Sequence, residues 1–237
     1  GYGGAGGPIE PWFLALGAVV GVAMAVQTAV GFGAILVSVT FGAYLLPLDA
    51  LLPLIVPVSL LQSSTILARH RAAVRRRLLF VCVLPLVGAG VAVSLALVGT
   101  GQAPWLRPAL GVLVLGLAAL SLAEDGRDAP PGSSWASAAA LVAGGVVQGL
   151  LATGGPLVVW GLARERLDRH ALRATLAAVW SAMNVLLVGA MIADGRIDGA
   201  SAARSAMLVV PAAVGLVLGE AVHGRLDEAT FRRAVWG

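Results

Sequence analysis

The sequence is poor in the residues that build most soluble sites. Charged residues make up only 12% of the 237 positions, whereas 59% are hydrophobic, and the mean hydropathy is +0.92. Average soluble domains carry about twice that charge. No lysine is present, so all 16 basic residues are arginine. The single cysteine, Cys82, lies in an apolar stretch and offers neither a disulfide nor a cysteine metal site.

The motifs of several function classes are also absent. The apolar stretches contain no pair of acidic residues, no His/Cys spacing typical of a metal site and no Walker-type loop. We therefore expect no enzymatic or ATP-driven activity, no cofactor and no bound metal. The alternating segments of about 10 residues that build a transmembrane β-barrel are missing as well.

What the sequence does contain is apolar stretches of nearly 20 residues, each long enough to cross a bilayer core of about 30 Å. They predict an all-α polytopic membrane protein. A polar, Pro- and Gly-rich linker at 124–134 divides it into two repeats, 1–123 and 135–237. The first repeat is predicted to hold a broken segment at 12–46 and spans at 50–68, 78–99 and 105–122; the second holds a broken segment at 135–163 and spans at 174–193 and 205–222. The second repeat stops where a further span would begin, near Phe231, so we expect a final helix to be missing.

The arginine distribution predicts the topology. If both broken segments are re-entrant hairpins, 13 arginines lie on one side of the membrane and 3 on the other. If the second broken segment crosses the membrane, the count is 8 on each side. The positive-inside rule favours the hairpins, which places the linker in the cytoplasm and makes the repeats inverted. The same rule accounts for the basic pI, so we expect no nucleic-acid partner. The lipid bilayer is the expected partner of this chain.

Each hairpin has a glycine break that follows a glutamine, and the two breaks lie 121 residues apart. Backbone N–H groups at the start of the second helix, together with the helix dipole, attract anions. Polar side chains on neighbouring spans are predicted to line the same cavity, with almost no carboxylate, which favours a small anionic substrate. The candidate substrate-binding residues are Gln27, Gly31, Gly33, Gln148, Thr153, Gly154, Gly155, Gln62, Ser63 and Asn184. The alternative is structural: such glycines pack helices and such glutamines bridge them.

The two breaks resemble the glycine-rich motif that the TauE/SafE sulfite-exporter family carries once in each half. The first copy is Gly31-Phe32-Gly33-Ala34-Ile35 and the second is Ala152-Thr153-Gly154-Gly155-Pro156. The resemblance implies export of sulfite or an organosulfonate across a bacterial inner membrane, driven by an ion gradient. It places the substrate site at Gly31, Gly33, Gly154 and Gly155, and it leaves open whether a proton or sodium is the coupling ion.

From these features we expect an alternating-access transporter whose two hairpin tips meet near the midplane and bind the anion. Two alternatives stay open: a passive anion channel with the same donors, and a membrane scaffold or assembly protein that transports nothing. The sequence leaves the oligomeric state open, with a homodimer among the candidates.

Overall fold

The computed structural model describes residues 10–99, 134–162, 165, 167–227 and 230. The predicted span at 105–122, nearly all of the linker at 124–134 and Phe231 lie outside these residues. The described part consists of helices joined by turns and short loops and contains no strand. Five of its helical segments are long and apolar enough to cross a membrane. The prediction of an all-α polytopic membrane protein is thus confirmed.

The described residues form nine α-helices, numbered here in chain order. They are α1 (Pro11–Val30), α2 (Ala34–Gly42), α3 (Leu48–His70), α4 (Arg76–Leu78), α5 (Leu84–Gly99), α6 (Ser134–Leu151), α7 (Gly155–Leu162), α8 (Arg169–Ala193) and α9 (Gly199–Arg225). A π-helical turn, Leu79–Val83, joins α4 to α5, so Arg76–Ala96 forms one apolar segment.

Helices α8 and α9 begin five and six residues before the spans predicted at 174–193 and 205–222. The polar residues just before each predicted span belong to the helix, because an aspartate caps the N-terminus of each of the two helices. The Asp168 side chain accepts hydrogen bonds from the N–H groups of His170 and Ala171. Asp198 and Ser201 form a capping box at the start of α9.

The short helices α2 and α7 fold back along the helices that precede them. On α7, Gly161 lies against Leu141 and Val158 lies against Gly144, so α7 runs antiparallel to α6. Gly42 at the end of α2 lies near Leu16 of α1 in the same way. With 9 and 8 residues, α2 and α7 are only about 12 to 14 Å long. Neither is long enough to cross a bilayer.

Helices α1 and α9 run parallel and approach closely through glycine. A Cβ atom on Gly215 would lie 2.2 Å from the carbonyl oxygen of Gly21, and one on Gly219 would lie 2.5 Å from that of Ala25. Only residues without a side chain let two backbones come this close. Gly215 and Gly219 therefore serve the packing of α9 on α1.

Helices α5 and α6 form the corresponding contact between the other hairpin and the other half. A Cβ on Gly145 would lie 2.1 Å from the carbonyl oxygen of Val87, and Gly149 lies against Ser94, so α5 and α6 are also parallel. Each hairpin's long helix therefore packs on a long helix from the other half of the chain.

The contacts of α3 give its direction relative to α1, α8 and α9. Ser205 of α9 donates to the Leu54 carbonyl, and Leu216 packs near Ile66, so α3 runs parallel to α9 and α1. Asn184 of α8 donates to Ser59. Since Ile66 also packs near Ala177, α8 runs antiparallel to α3.

Helices α5 and α6 run in the direction of α8. The Arg75 N–H, next to α4, bonds Thr175 near the start of α8, whereas Gln148 near the end of α6 reaches Asn184 further along α8. Helices α1 and α6 consequently point in opposite directions. An inverted repeat requires this arrangement, and the repeat itself stays a prediction.

Candidate functional site

The two breaks begin with the same left-handed turn. Gly31 and Ala152 both have positive φ, 104° and 56°. Each donates its N–H to the carbonyl oxygen of the glutamine four residues earlier, at 2.7 Å from Gly31 to Gln27 and 2.9 Å from Ala152 to Gln148. In both hairpins the next helix begins three residues later. The left-handed turn and its hydrogen bond thus recur 121 residues apart, but the tips differ at the next glycine, because Gly33 also has a positive φ of 105° and Gly154 does not.

Each glutamine side chain bridges its own break. The Oε1 atom of Gln27 accepts the Ala34 N–H at 3.2 Å, and Oε1 of Gln148 accepts the Gly154 N–H at 3.1 Å. Both side chains are buried. Each amide carbonyl therefore satisfies one of the N–H groups that a helix start leaves without an intrahelical partner. A side-chain amide nitrogen carries two N–H donors, and Gln148 Nε2 donates one of them to Asn184 Oδ1 at 3.5 Å.

The two tips meet, and a small cavity lies between them. A Cβ on Gly155 would lie 3.5 Å from Phe32, so the second tip touches the first. The cavity has a volume of about 20 Å³. A buried water needs roughly 10 to 15 Å³ by this measure, so the cavity has room for one water molecule. Its lining consists of Gln27, Gly33, Ile35, Leu36, Ser59, Gln148, Ala152, Thr153, Gly155, Pro156, Trp180 and Asn184.

The cavity lining is rich in polar groups and uncharged. It includes three side-chain amides, two hydroxyls and one indole. Asn184 Nδ2 donates to Ser59 Oγ at 3.1 Å, which orients both groups. Ile35 and Leu36 lie in the first turn of α2, where N–H groups have no intrahelical acceptor. The positive ends of the dipoles of α2 and α7 face the same space, which favours an oxyanion.

Six of the ten predicted site residues line this cavity, namely Gln27, Gly33, Gln148, Thr153, Gly155 and Asn184. Gly31 and Gly154 lie in the tips without lining it. The Gly31 carbonyl accepts the indole N–H of Trp180 at 2.9 Å. A Cβ on Gly154 would lie 2.0 Å from the Gly144 carbonyl oxygen, so Gly154 lets α7 approach α6.

The other two predicted site residues lie outside the cavity lining. The Gln62 amide donates to the Met24 carbonyl and to Thr28 Oγ1, both at 2.6 Å, and so joins α3 to α1. Ser63 Oγ donates to the Ser59 carbonyl at 2.8 Å within its own helix. The bond of Ser63 to its own helix is one that serine commonly makes within helices.

One residue next to the site was not predicted. Arg173 is 2% exposed, and its Nη2 lies 2.5 Å from Glu220 Oε1. Its backbone packs against Gly31 of the first tip. In the sequence it falls among the 13 arginines whose distribution indicates the topology. The signal that would have found it is its spacing from Trp180 and Asn184, seven and eleven residues, which places all three on one face of a helix.

Comparison with known proteins indicates the same family as the motifs at the two breaks. The family described as Sulfite exporter TauE/SafE matches residues 13–237. Probable inner membrane transporter protein TsaS of Comamonas testosteroni is 27% identical over 156 residues, 65% of this chain and 64% of that relative. The match thus spans less than two thirds of the relative's length. No solved structure gives a significant match.

Proposed function

The chain belongs to the sulfite exporter TauE/SafE family, and we propose that it exports a small sulfur oxyanion or an organosulfonate, such as sulfite or sulfoacetate. The predicted family is thereby confirmed, and it makes the protein a membrane transporter rather than an enzyme. The name of the relative from Comamonas testosteroni supports the bacterial inner membrane as its location.

The observation that carries the substrate class is the uncharged cavity between two helix starts. An anion there meets the positive dipole ends of α2 and α7, together with N–H groups of the first turn of α2. The Gln148 amide and the Thr153 hydroxyl supply side-chain donors. A cation would find no carboxylate among the twelve lining residues. Hydrogen bonds to a charged group contribute about 1.5 to 3 kcal/mol each, so a few such donors suffice for a weak to moderate transport site.

The transport mechanism we propose is alternating access. The cavity admits one water molecule, so a sulfonate enters only when the two tips separate. Each hairpin packs on the opposite half through a glycine-lined contact, which provides a smooth surface for one unit to move against the other. The opposite directions of α1 and α6 support an inverted pair that opens in turn to either side.

Proteoliposomes that contain the purified protein test this proposal. We expect saturable flux of radiolabelled sulfite and sulfoacetate, and no comparable flux of choline, an organic cation. Replacement Gln148→Leu removes an amide from the cavity and should raise the KM for the anion by about tenfold or more, by the loss of one charge-assisted hydrogen bond.

The matched control is Gln62→Leu, which removes an equally buried amide that does not line the cavity. It should lower thermal stability and leave the KM unchanged. If both variants change the KM alike, the cavity is not the binding site. Accumulation of the anion against its gradient when a proton or sodium gradient is imposed supports a coupled transporter, whereas flux that only dissipates the anion gradient identifies a passive channel.

A further inference from the structure

Arg173 is a buried cation whose donors are incompletely used. Its side chain is 2% exposed, and one nitrogen, Nη2, bonds Glu220. The Nε atom is buried, and no hydrogen-bond partner for it is found among the described residues. A guanidinium carries five N–H donors in a planar fork that fits a carboxylate or a sulfonate in a bidentate manner. An arginine whose only role was a stabilising ion pair with Glu220 would be expected to engage more of these five donors.

The position of Arg173 relates it to the candidate substrate site. It lies on the same face of α8 as Trp180 and Asn184, about 10 Å before Trp180 along the helix. The first hairpin tip rests directly on it, because a Cβ on Gly31 would lie 3.4 Å from Arg173 Cα. Arg173 therefore lies between the arginine-rich end of the helices and the cavity.

The Glu220 carboxylate that pairs with Arg173 is accessible enough for another anion to displace it. The Glu220 side chain is 27% exposed, and the same oxygen that bonds Arg173 lies 3.6 Å from Nε2 of His70, which is itself 35% exposed. The charged and titratable groups that surround the pair are His70 at the end of α3, Arg169 and His170 at the start of α8, and His223 on α9. His223 bonds the Ala29 carbonyl just before the first break, and Arg169 bonds the carbonyls of His223 and Leu226.

We propose that Arg173 is a second anion-binding group, which receives the substrate on its way to the cavity and which Glu220 occupies when no substrate is bound. This inference rests on the proposed function, since the ligand is the same class of sulfonate or sulfite anion. The incoming anion takes the place of the Glu220 carboxylate on the guanidinium. The displaced carboxylate then binds one proton from cytoplasmic water, next to His70. One anion and one proton enter together, so no net charge is added to the buried cluster.

Methanesulfonate is the probe for this site, because its sulfonate stays ionised over the working pH range and any pH dependence of binding belongs to the protein. Binding is measured calorimetrically on the purified protein in nanodiscs, for the wild type, Glu220→Gln, and the double variant Arg173→Gln/Glu220→Gln. The double variant removes both charges of the pair, so it leaves no unpaired buried ion that would unfold the protein. Melting temperatures without ligand verify that each variant is folded.

We expect the wild type to bind methanesulfonate more tightly as the pH falls, because a proton on Glu220 removes the internal competitor. Glu220→Gln should bind about tenfold more tightly at neutral pH and lose most of the pH dependence. The double variant should bind at least about tenfold more weakly than Glu220→Gln. Equal affinity of these two variants would overturn the assignment of Arg173.

The test separates this inference from the proposed function. If the wild type transports sulfite in proteoliposomes while Glu220→Gln and the double variant bind alike, transport stands and the Arg173 site fails. If the variants differ as expected but no anion is transported, the Arg173 site stands and the transport function fails. If no variant binds the probe, the Arg173 site is overturned irrespective of the flux result.

Discussion

Gly154 is the residue whose replacement tests the architecture of the site most directly. A Cβ added there would lie 2.0 Å from the Gly144 carbonyl oxygen and 2.9 Å from the Gln148 Cβ. A tight carbon–oxygen contact is roughly 3.3 Å, so α6 and α7 have to separate by about 1 Å. Both obstructing atoms belong to the backbone or to the first side-chain carbon, so no rotamer change relieves the clash.

The expected cost of Gly154→Ala follows from that geometry. Overpacking of a well-packed contact typically costs about 1 to 3 kcal/mol. The displacement also lengthens the bond from the Gly154 N–H to Gln148, and a buried N–H that loses its acceptor costs about 1 to 3 kcal/mol more. Because both losses occur at the tip, we expect the anion flux to fall by at least about tenfold in addition to a lower melting temperature.

The assay compares Gly154→Ala with Gly189→Ala. Gly189 lies within α8, and a Cβ there would meet nothing within 4 Å. Since alanine is the better helix former by up to about 1 kcal/mol, this control should match or slightly exceed the wild type in stability. Melting temperature is measured on the purified proteins and sulfite efflux in proteoliposomes. A Gly154→Ala protein that melts and transports like the Gly189→Ala protein would refute the close hairpin contact described here.

Three further predictions follow from local geometry. Ala152→Gly should raise the free energy of unfolding by up to about 1 kcal/mol, because alanine at φ 56° is strained and glycine is not; a lower melting temperature would contradict the left-handed tip. Asp198→Ala should lower the melting temperature at neutral pH, because hydrogen bonds from Ser201 hold the pKa of Asp198 below its usual value. That stabilisation is present above the unfolded-state pKa and is lost as the pH falls through the lowered one, so wild type and variant should converge in acid. In a cysteine-free background, Ala73→Cys should react with an impermeant maleimide from the cytoplasmic side and Ala200→Cys from the opposite side; labelling of both from one side would exclude the proposed topology.

The hairpin tips could be predicted because the sequence carries their physical signals. A glutamine followed by small residues and glycine is costly and hard to pack in lipid unless the backbone turns there. The repetition of this pattern after 121 residues indicated two equivalent turns. The composition could not show that each glutamine side-chain carbonyl accepts an N–H across its break. Those hydrogen bonds depend on the φ angles of Gly31 and Ala152.

Side chains on the spans were harder to place, because a polar residue on a helix faces whichever neighbour the packing provides. Ser63 and Asn184 are separated by the same 121 residues as the two tips, yet Asn184 lines the cavity and Ser63 bonds its own helix. Arg173 was missed for a related reason. A basic residue near a predicted span end is normally a topology signal, and only the cap at Asp168 shows that Arg173 lies inside α8.

The two tips share a left-handed turn but differ in the charge beside them, and this difference bears on the proposed direction of transport. Arg173 supports the first tip, whereas the residue 121 positions earlier, Leu52, is apolar and buried. The first tip faces the arginine-rich side, which the positive-inside rule assigns to the cytoplasm. A substrate that enters from the cytoplasm therefore meets a buried guanidinium, and one that enters from the other side meets only uncharged donors. This asymmetry does not change the equilibrium distribution of the anion across the membrane, because the driving gradient sets that distribution. Under the function and the Arg173 site proposed above, the asymmetry makes binding tighter on the cytoplasmic side and release faster on the other, which favours export when the cytoplasmic anion concentration is low.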